Sequence, residues 1–191
     1  MGQQSGVADH NRRLVFKDDF NYTSISAMVA AGWTVCGNAP SSYYSVTGGY
    51  LTLQNDGSVV AWMCRSLTAT GADDWMVSDR AAAVGGGYAS FQLNALTVGH
   101  QWTLQADGYY STLVLARDQI HVLEVPGYFP TFGVYHVVSM EMKNGVISIF
   151  LDGRLFGSFT AGRTGSAITG VAMGASWTAT DSYDYVTAAS L

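Results

Sequence analysis

An all-β fold, two antiparallel sheets stacked as a sandwich, is what this sequence predicts, and three observations predict it. Apolar residues fill 48% of the 191 positions and charged residues only 12%, so the chain has a core to bury but little material for charged helix surfaces. Short runs rich in Val, Ile, Tyr, Phe and Trp recur roughly every 8 to 12 residues, separated by Gly, Asn and Asp, which is the spacing of a sandwich or barrel. The stretch "VISIFLDGRLFGSF" (146–159) folds back at Asp152-Gly153, with Asn144-Gly145 just upstream. Asx-Gly suits the two-residue hairpin turn, whose central residues both need positive φ.

The elements follow in order. Residues 1–13 are polar and are expected to form an arm long enough to reach a neighbour, ahead of one domain over 14–191. "LVFKDDF" (14–20) is the first strand. "NYTSISAMVAAGW" (21–33) holds one short helix, with Ser24 or Ser26 capping an Ala-Met-Val-Ala run. From Tyr43 onward come "YYSV", "YLTLQ", "SVVAWMC", "WMVSDRAAAV", "YASFQL", "HQWTLQA", "YSTLVLA", "QIHVLEV", "VYHVVSMEM", "VISIFL", "RLFGSF", "GVAMGAS" and "YDYVTAA". More than a dozen strands favour two stacked sheets over one open sheet. Alternation assigns faces: Ile147, Ile149 and Leu151 share one, and Val146, Ser148 and Phe150 the other.

Composition also excludes partners. The net charge is −5, and the nine Lys and Arg are scattered, so no footprint for a phosphate backbone exists and no nucleic-acid partner is expected. No apolar run approaches the roughly 20 residues of a membrane-spanning helix, and no membrane partner is expected. The N-terminus shows no signal-peptide core, and a soluble chain at a virion surface or outside the cell is the setting considered. The two cysteines, Cys36 and Cys64, allow one bridge; without a visible leader, two buried thiols are the expectation.

Four segments together resemble the concanavalin A-like lectin/glucanase superfamily. They are "FKDDF" (16–20), "GGYLTL" (48–53), "MEMKNGVISIFLDGRLFG" (140–157) and "YDYV" (183–186). The similarity is closest to its laminin-G-like branch and to the scaffold of family 16 glycosidases. The resemblance implies a two-sheet jelly roll in which the first and last strands pair, with a concave face on which many members bind glycans. It also implies a structural calcium, with Asp184 as carboxylate ligand and Gly49 as a carbonyl ligand; calcium takes six to eight oxygens.

Catalytic signals are sparse. Family 16 enzymes carry their acids in an E-x-D-x-E strand, and this chain, with only Glu124 and Glu141, has none. There is no G-x-S-x-G elbow and no zinc spacing, and the four histidines (10, 100, 121 and 136) suggest no base-orienter pair. "Q-I-H" (119–121) and "YFPTFGVYH" (128–136) resemble motifs of family 7 alginate lyases. That alternative requires Gln119, His121 and Tyr135 to converge on one pocket.

Binding without chemistry is the favoured reading. On a strand through 116–125, Arg117, Gln119 and His121 would share one face. With Trp102, Gln92 and Gln101 and the loop aromatics Tyr43, Tyr44, Tyr109, Tyr110, Tyr128, Phe129 and Phe132, they are expected to line a glycan groove, with Tyr135 as a further candidate. The expected function is a non-catalytic, lectin-like module. The alternatives are a structural or assembly protein, working as a homo-oligomer or with other structural proteins, and a polysaccharide lyase or glycoside hydrolase.

Overall fold

A computed structural model describes residues 12–68, 73–86, 90–127, 131–175 and 178–191. Among them the strand β1 (Arg13–Asp18) leads into the one α-helix, α1 (Ile25–Ala30), and then β2 (Trp33–Val35), β3 (Tyr44–Thr47) and β4 (Tyr50–Gln54). The chain continues through β5 (Trp62–Ser66), β6 (Trp75–Gly86), β7 (Phe91–Thr97), β8 (Gln101–Asp107), β9 (Thr112–Arg117) and β10 (Ile120–Pro126). It closes with β11 (His136–Lys143), β12 (Val146–Leu151), β13 (Arg154–Thr160), β14 (Ile168–Gly174) and β15 (Ala179–Ser190).

Two antiparallel sheets result. The eight-stranded sheet runs β13-β12-β11-β6-β15-β4-β3 with β1 added to β15, and the seven-stranded sheet runs β10-β9-β8-β7-β14-β5-β2. First and last strands pair, Arg13 opposite Ser190, as the resemblance implied. The first strand thus begins at Arg13, inside the expected arm, and Arg12 is anchored by an ion pair to Glu141 at 3.1 Å; residues 1–11 of that arm lie outside the described residues.

The turns that position the strands are those the Asx-Gly pairs announced. Asn144 and Gly145 (φ 53° and 78°), and Asp152 and Gly153 (φ 49° and 78°), each place both central residues in the left-handed region. The helix is short but capped: the Ala27 amide donates to Ser24 Oγ at 3.1 Å, and Met28 turns into the core. Between the sheets lie Trp33, Trp75, Trp102, Phe91 and Tyr183, all fully buried. In β12 the expected alternation holds, with Ile147, Ile149 and Leu151 inward.

Two features of the core bear on its stability, and the first departs from the sequence reading. Cys36 and Cys64 form a disulfide, not two thiols, because β2 lies antiparallel to β5 with Thr34 opposite Cys64 and brings the two Cα atoms to 6.0 Å. Asp79, on the inward face of β6 with Val77 and Ala81, is a carboxyl group in an apolar core; neither oxygen has a hydrogen-bond partner, and burial pushes its pKa well above the ordinary carboxylate range. No helix among the described residues is long and apolar enough to cross a membrane.

Candidate functional site

Period-two alternation on the seven-stranded sheet sends apolar side chains inward and amides outward. On β7, Phe91, Leu93 and Ala95 are buried in the core while Gln92 and Asn94 point to the other face. On β8, Trp102, Leu104 and Ala106 enter the core while Gln101, Thr103 and Gln105 face out. β14 contributes a floor of small residues, Gly170, Ala172 and Gly174, alternating with the core residues Val171 and Met173.

The outward side chains are joined across strands. Gln92 Nε2 donates to Gln105 Oε1 at 2.9 Å, and Gln105 Nε2 donates to Asp107 Oδ2 at 3.3 Å. Asn94 is fully buried and accepts at Oδ1 from Thr103 Oγ1 (2.6 Å) and Gln101 Nε2 (3.1 Å), while its own Nδ2 donates to the Ala172 carbonyl at 3.3 Å. A cross-strand network of this kind fixes rotamers and holds polar groups ready for a ligand.

Over this floor lies a groove of about 560 Å³. Trp62 of β5 stands at one side with Cys36 and Asn38, and Gln119 and His121 stand at the other. The Trp62 ring folds over Gly174: a Cβ there would sit 2.3 Å from the ring's Cδ1 and Nε1, so only glycine accommodates it. Packed against a bare Cα, the ring is held at the wall of the groove.

The site residues expected from the sequence divide between several places. Gln119 and His121 line the groove, but Gln119 is not on a strand: Asp118 and Gln119 (φ 51° and 70°) form the β9–β10 turn, held by Asp118 Oδ1 accepting from the Gln101 amide at 2.9 Å. That turn gives Arg117 the opposite parity, on the core face with Leu113 and Leu115, its guanidinium carbon 5.8 Å from the Trp102 ring centre. Trp102 is itself a core residue packed on Phe159, and neither it nor Arg117 reaches the groove.

Tyr109 and Tyr110 sit exposed on the β8–β9 connection, edge to face with centroids 4.6 Å apart, outside the groove lining. Tyr44 is core, Tyr43 donates to Asp56 at 2.8 Å, Phe132 is exposed, and Tyr128 and Phe129 lie outside the described residues. Tyr135, just before β11, packs on the other sheet: it donates to Ser182 Oγ at 2.8 Å, and the Arg80 guanidinium lies 4.8 Å above its ring. Gln119 and His121 therefore do not converge with Tyr135, and the lyase arrangement is not formed.

Sequence reasoning missed Trp62 and all three histidine-acid pairs. His100 meets Asp118 at 2.6 Å, His121 meets Glu124 at 2.7 Å and His136 meets Asp152 at 2.8 Å. Asp118 and Asp152 lie in hairpin turns, so those pairs pin turns; Gln101 and His100 hold the Asp118 carboxyl below its ordinary range.

The expected calcium ligands fare differently. Asp184 pairs with Arg80, and its carboxylate is already neutralised. A Cβ on Gly49 would lie 3.3 Å from Asn21 Oδ1 and 3.7 Å from the Asp19 carbonyl, but among the described residues no group of three or more His, Cys, Asp or Glu gathers as a metal site. Chelation is expected to leave the thermal midpoint unchanged; a fall of several degrees on adding chelator would restore a calcium at Asp184.

A second recess, about 690 Å³, lies on the outer face of the eight-stranded sheet among Met76, Ser78, Ser139, Phe150 and Tyr185. Among the described residues it holds no amide side chain, and its basic residues Arg12 and Lys17 are spent on Glu141 and Asp19.

Solved structures share this arrangement over nearly the whole chain. A non-specific endo-β-1,3(4)-glucanase of family GH16 (SCLam) superposes with a TM-score of 0.70 at 13% identity, over 94% of this chain and 91% of its own. The fold is the concanavalin A-like jelly roll. Two other jelly rolls are a carbohydrate-binding module, CBM66, from Bacillus subtilis (TM-score 0.64, 17% identity, 83% of this chain and 96% of that one), and the CBM2 module of the evolved Dit of Lactobacillus casei BL23 phage J-1 (0.64, 12%, 93% and 95%). No family model and no curated protein matches the sequence.

Proposed function

We propose that the chain is a non-catalytic carbohydrate-binding module whose ligand lies in the groove of the seven-stranded sheet. The observation that carries the reading is the outward row of Gln92, Gln101, Thr103 and Gln105, braced from beneath by the buried Asn94, beside the Trp62 ring, since planar amides and an aromatic face are what sugar recognition uses. Glycoside hydrolysis needs two carboxyl groups flanking the scissile bond, and the described residues lining the groove include no Asp and no Glu. The solved neighbours named as carbohydrate-binding modules support the reading, and the phage Dit module among them supports a virion-surface setting. The Cys36–Cys64 bridge supports an oxidising, extracellular environment.

The test is a glycan array with the native chain and with Trp62→Ala. Selective binding is expected, weakened at least about tenfold by the substitution, or ~1.4 kcal/mol. Binding to no glycan at high protein concentration sinks the reading.

A further inference from the structure

We infer that the groove selects uncharged, hydroxyl-rich polysaccharide chains, and that one ligand hydroxyl bridges Trp62 Nε1 and Gln92 Oε1. This rests on the carbohydrate-binding reading and narrows its ligand.

Trp62, Gly174 and Gln92 occupy one register row on the adjacent strands β5, β14 and β7. Two strand spacings separate Trp62 from Gln92, roughly 10 Å between backbones. The tryptophan ring spans part of that gap by folding over Gly174, with its N–H edge above the glycine. From below, Tyr183 fixes the same row: its hydroxyl donates to the Gly174 carbonyl at 2.8 Å and accepts from the Gln92 amide at 3.2 Å. Among the described residues, Trp62 Nε1 and Gln92 Oε1 are the two groove side-chain atoms shielded from solvent without a hydrogen-bond partner. Gln92 Nε2 is committed to Gln105, which leaves Oε1 as the free end of the amide.

An indole N–H only donates and an amide oxygen only accepts. A hydroxyl group does both, so a single one satisfies the pair. A carboxylate or sulfate, which only accepts, leaves Gln92 unsatisfied, and an ammonium, which only donates, leaves Trp62 so.

Charge points the same way. Among the described residues the groove lining contains no Lys or Arg, and His121 is tied through Nδ1 to Glu124. Arg117, the nearest cation in sequence, faces the core side. An anionic sugar would be desolvated here without a counter-charge, within a chain of net charge −5. Along β8 the outward series Gln101, Thr103, Gln105 repeats at two-residue steps and spans ~13 Å, a ladder suited to successive units of a chain.

The experiment measures affinity electrophoresis and tryptophan fluorescence of the full disulfide-bonded chain against neutral polysaccharides (laminarin, xylan, glucomannan) and acidic ones (alginate, polygalacturonate, heparin). Retention by at least one neutral polymer and none of the acidic ones is expected. Trp62→Phe, which keeps a ring but removes the N–H, is expected to weaken neutral binding about fivefold with the thermal midpoint held, and Gln92→Leu to do the same. Acidic polymers bound as tightly as neutral ones, or folded Trp62→Phe and Gln92→Leu variants of undiminished affinity, overturn the inference while leaving carbohydrate binding intact. No retention by any polymer overturns both.

Discussion

Asp79→Asn is expected to stabilise the fold at neutral pH and to flatten its dependence on pH. The carboxyl lies wholly buried between the sheets without a hydrogen-bond partner, and burial holds it protonated. In the unfolded chain it ionises above its model value of 3.8. Above that pH the folded state binds more protons than the unfolded one, so stability falls as pH rises, by about 1.4 kcal/mol per unit until the folded group ionises. Asparagine keeps the shape and never ionises, so the variant matches the native chain near pH 4 and exceeds it increasingly as pH rises, until the folded carboxyl ionises and the gap levels off. For a chain of this length each kcal/mol moves the midpoint by roughly 2–4 °C. Thermal unfolding of both proteins from pH 4 to pH 8 checks this; parallel curves would show that Asp79 is ionised in the fold and has found a partner.

The same residue shows where sequence reading stops. "WMVSDRAAAV" is plainly a strand, and the parity that places Asp79 inward with Val77 and Ala81 could be counted, yet composition argues that a carboxylate faces water. The sandwich itself was legible because its signals are local. Asx-Gly turns fix their own φ values, and Ile147, Ile149 and Leu151 alternate without ambiguity. The β9–β10 turn was not, because it uses Asp118-Gln119 with no glycine, and one unrecognised turn reversed the face of Arg117. Trp102 had readable neighbours: Gln101, Thr103 and Gln105 face out, so the ring must face in. Trp62 lies between Ala61 and Met63, both apolar, where alternation carries no information. Its role emerges only from Gly174, more than a hundred residues away in sequence and opposite it in the sheet.

Removing the disulfide is expected to be costly for stability and to damage the groove as well. β2 is a three-residue edge strand, and the segment after it hangs on β5 and its approach: the Cys36 amide donates to the Trp62 carbonyl at 3.1 Å, and Asn38 exchanges two bonds with Val60, at 3.0 and 2.7 Å. The Cys36–Cys64 bridge spans 28 residues of sequence, and a loop of that length limits the entropy of the unfolded chain by ~3.5 kcal/mol. Cys36→Ser with Cys64→Ser is therefore expected to lower the midpoint by roughly 10 °C. The amide row on β7 and β8 does not depend on β2, so folding should survive while the wall carrying Cys36 and Asn38 loosens beside Trp62. Glycan affinity should then fall more than a change confined to stability predicts, measured well below the variant's midpoint. An unchanged midpoint on adding reductant to the native chain would mean that the hydrogen bonds to Val60 and Trp62 hold the segment alone, and that the bridge adds nothing to the fold or to the groove.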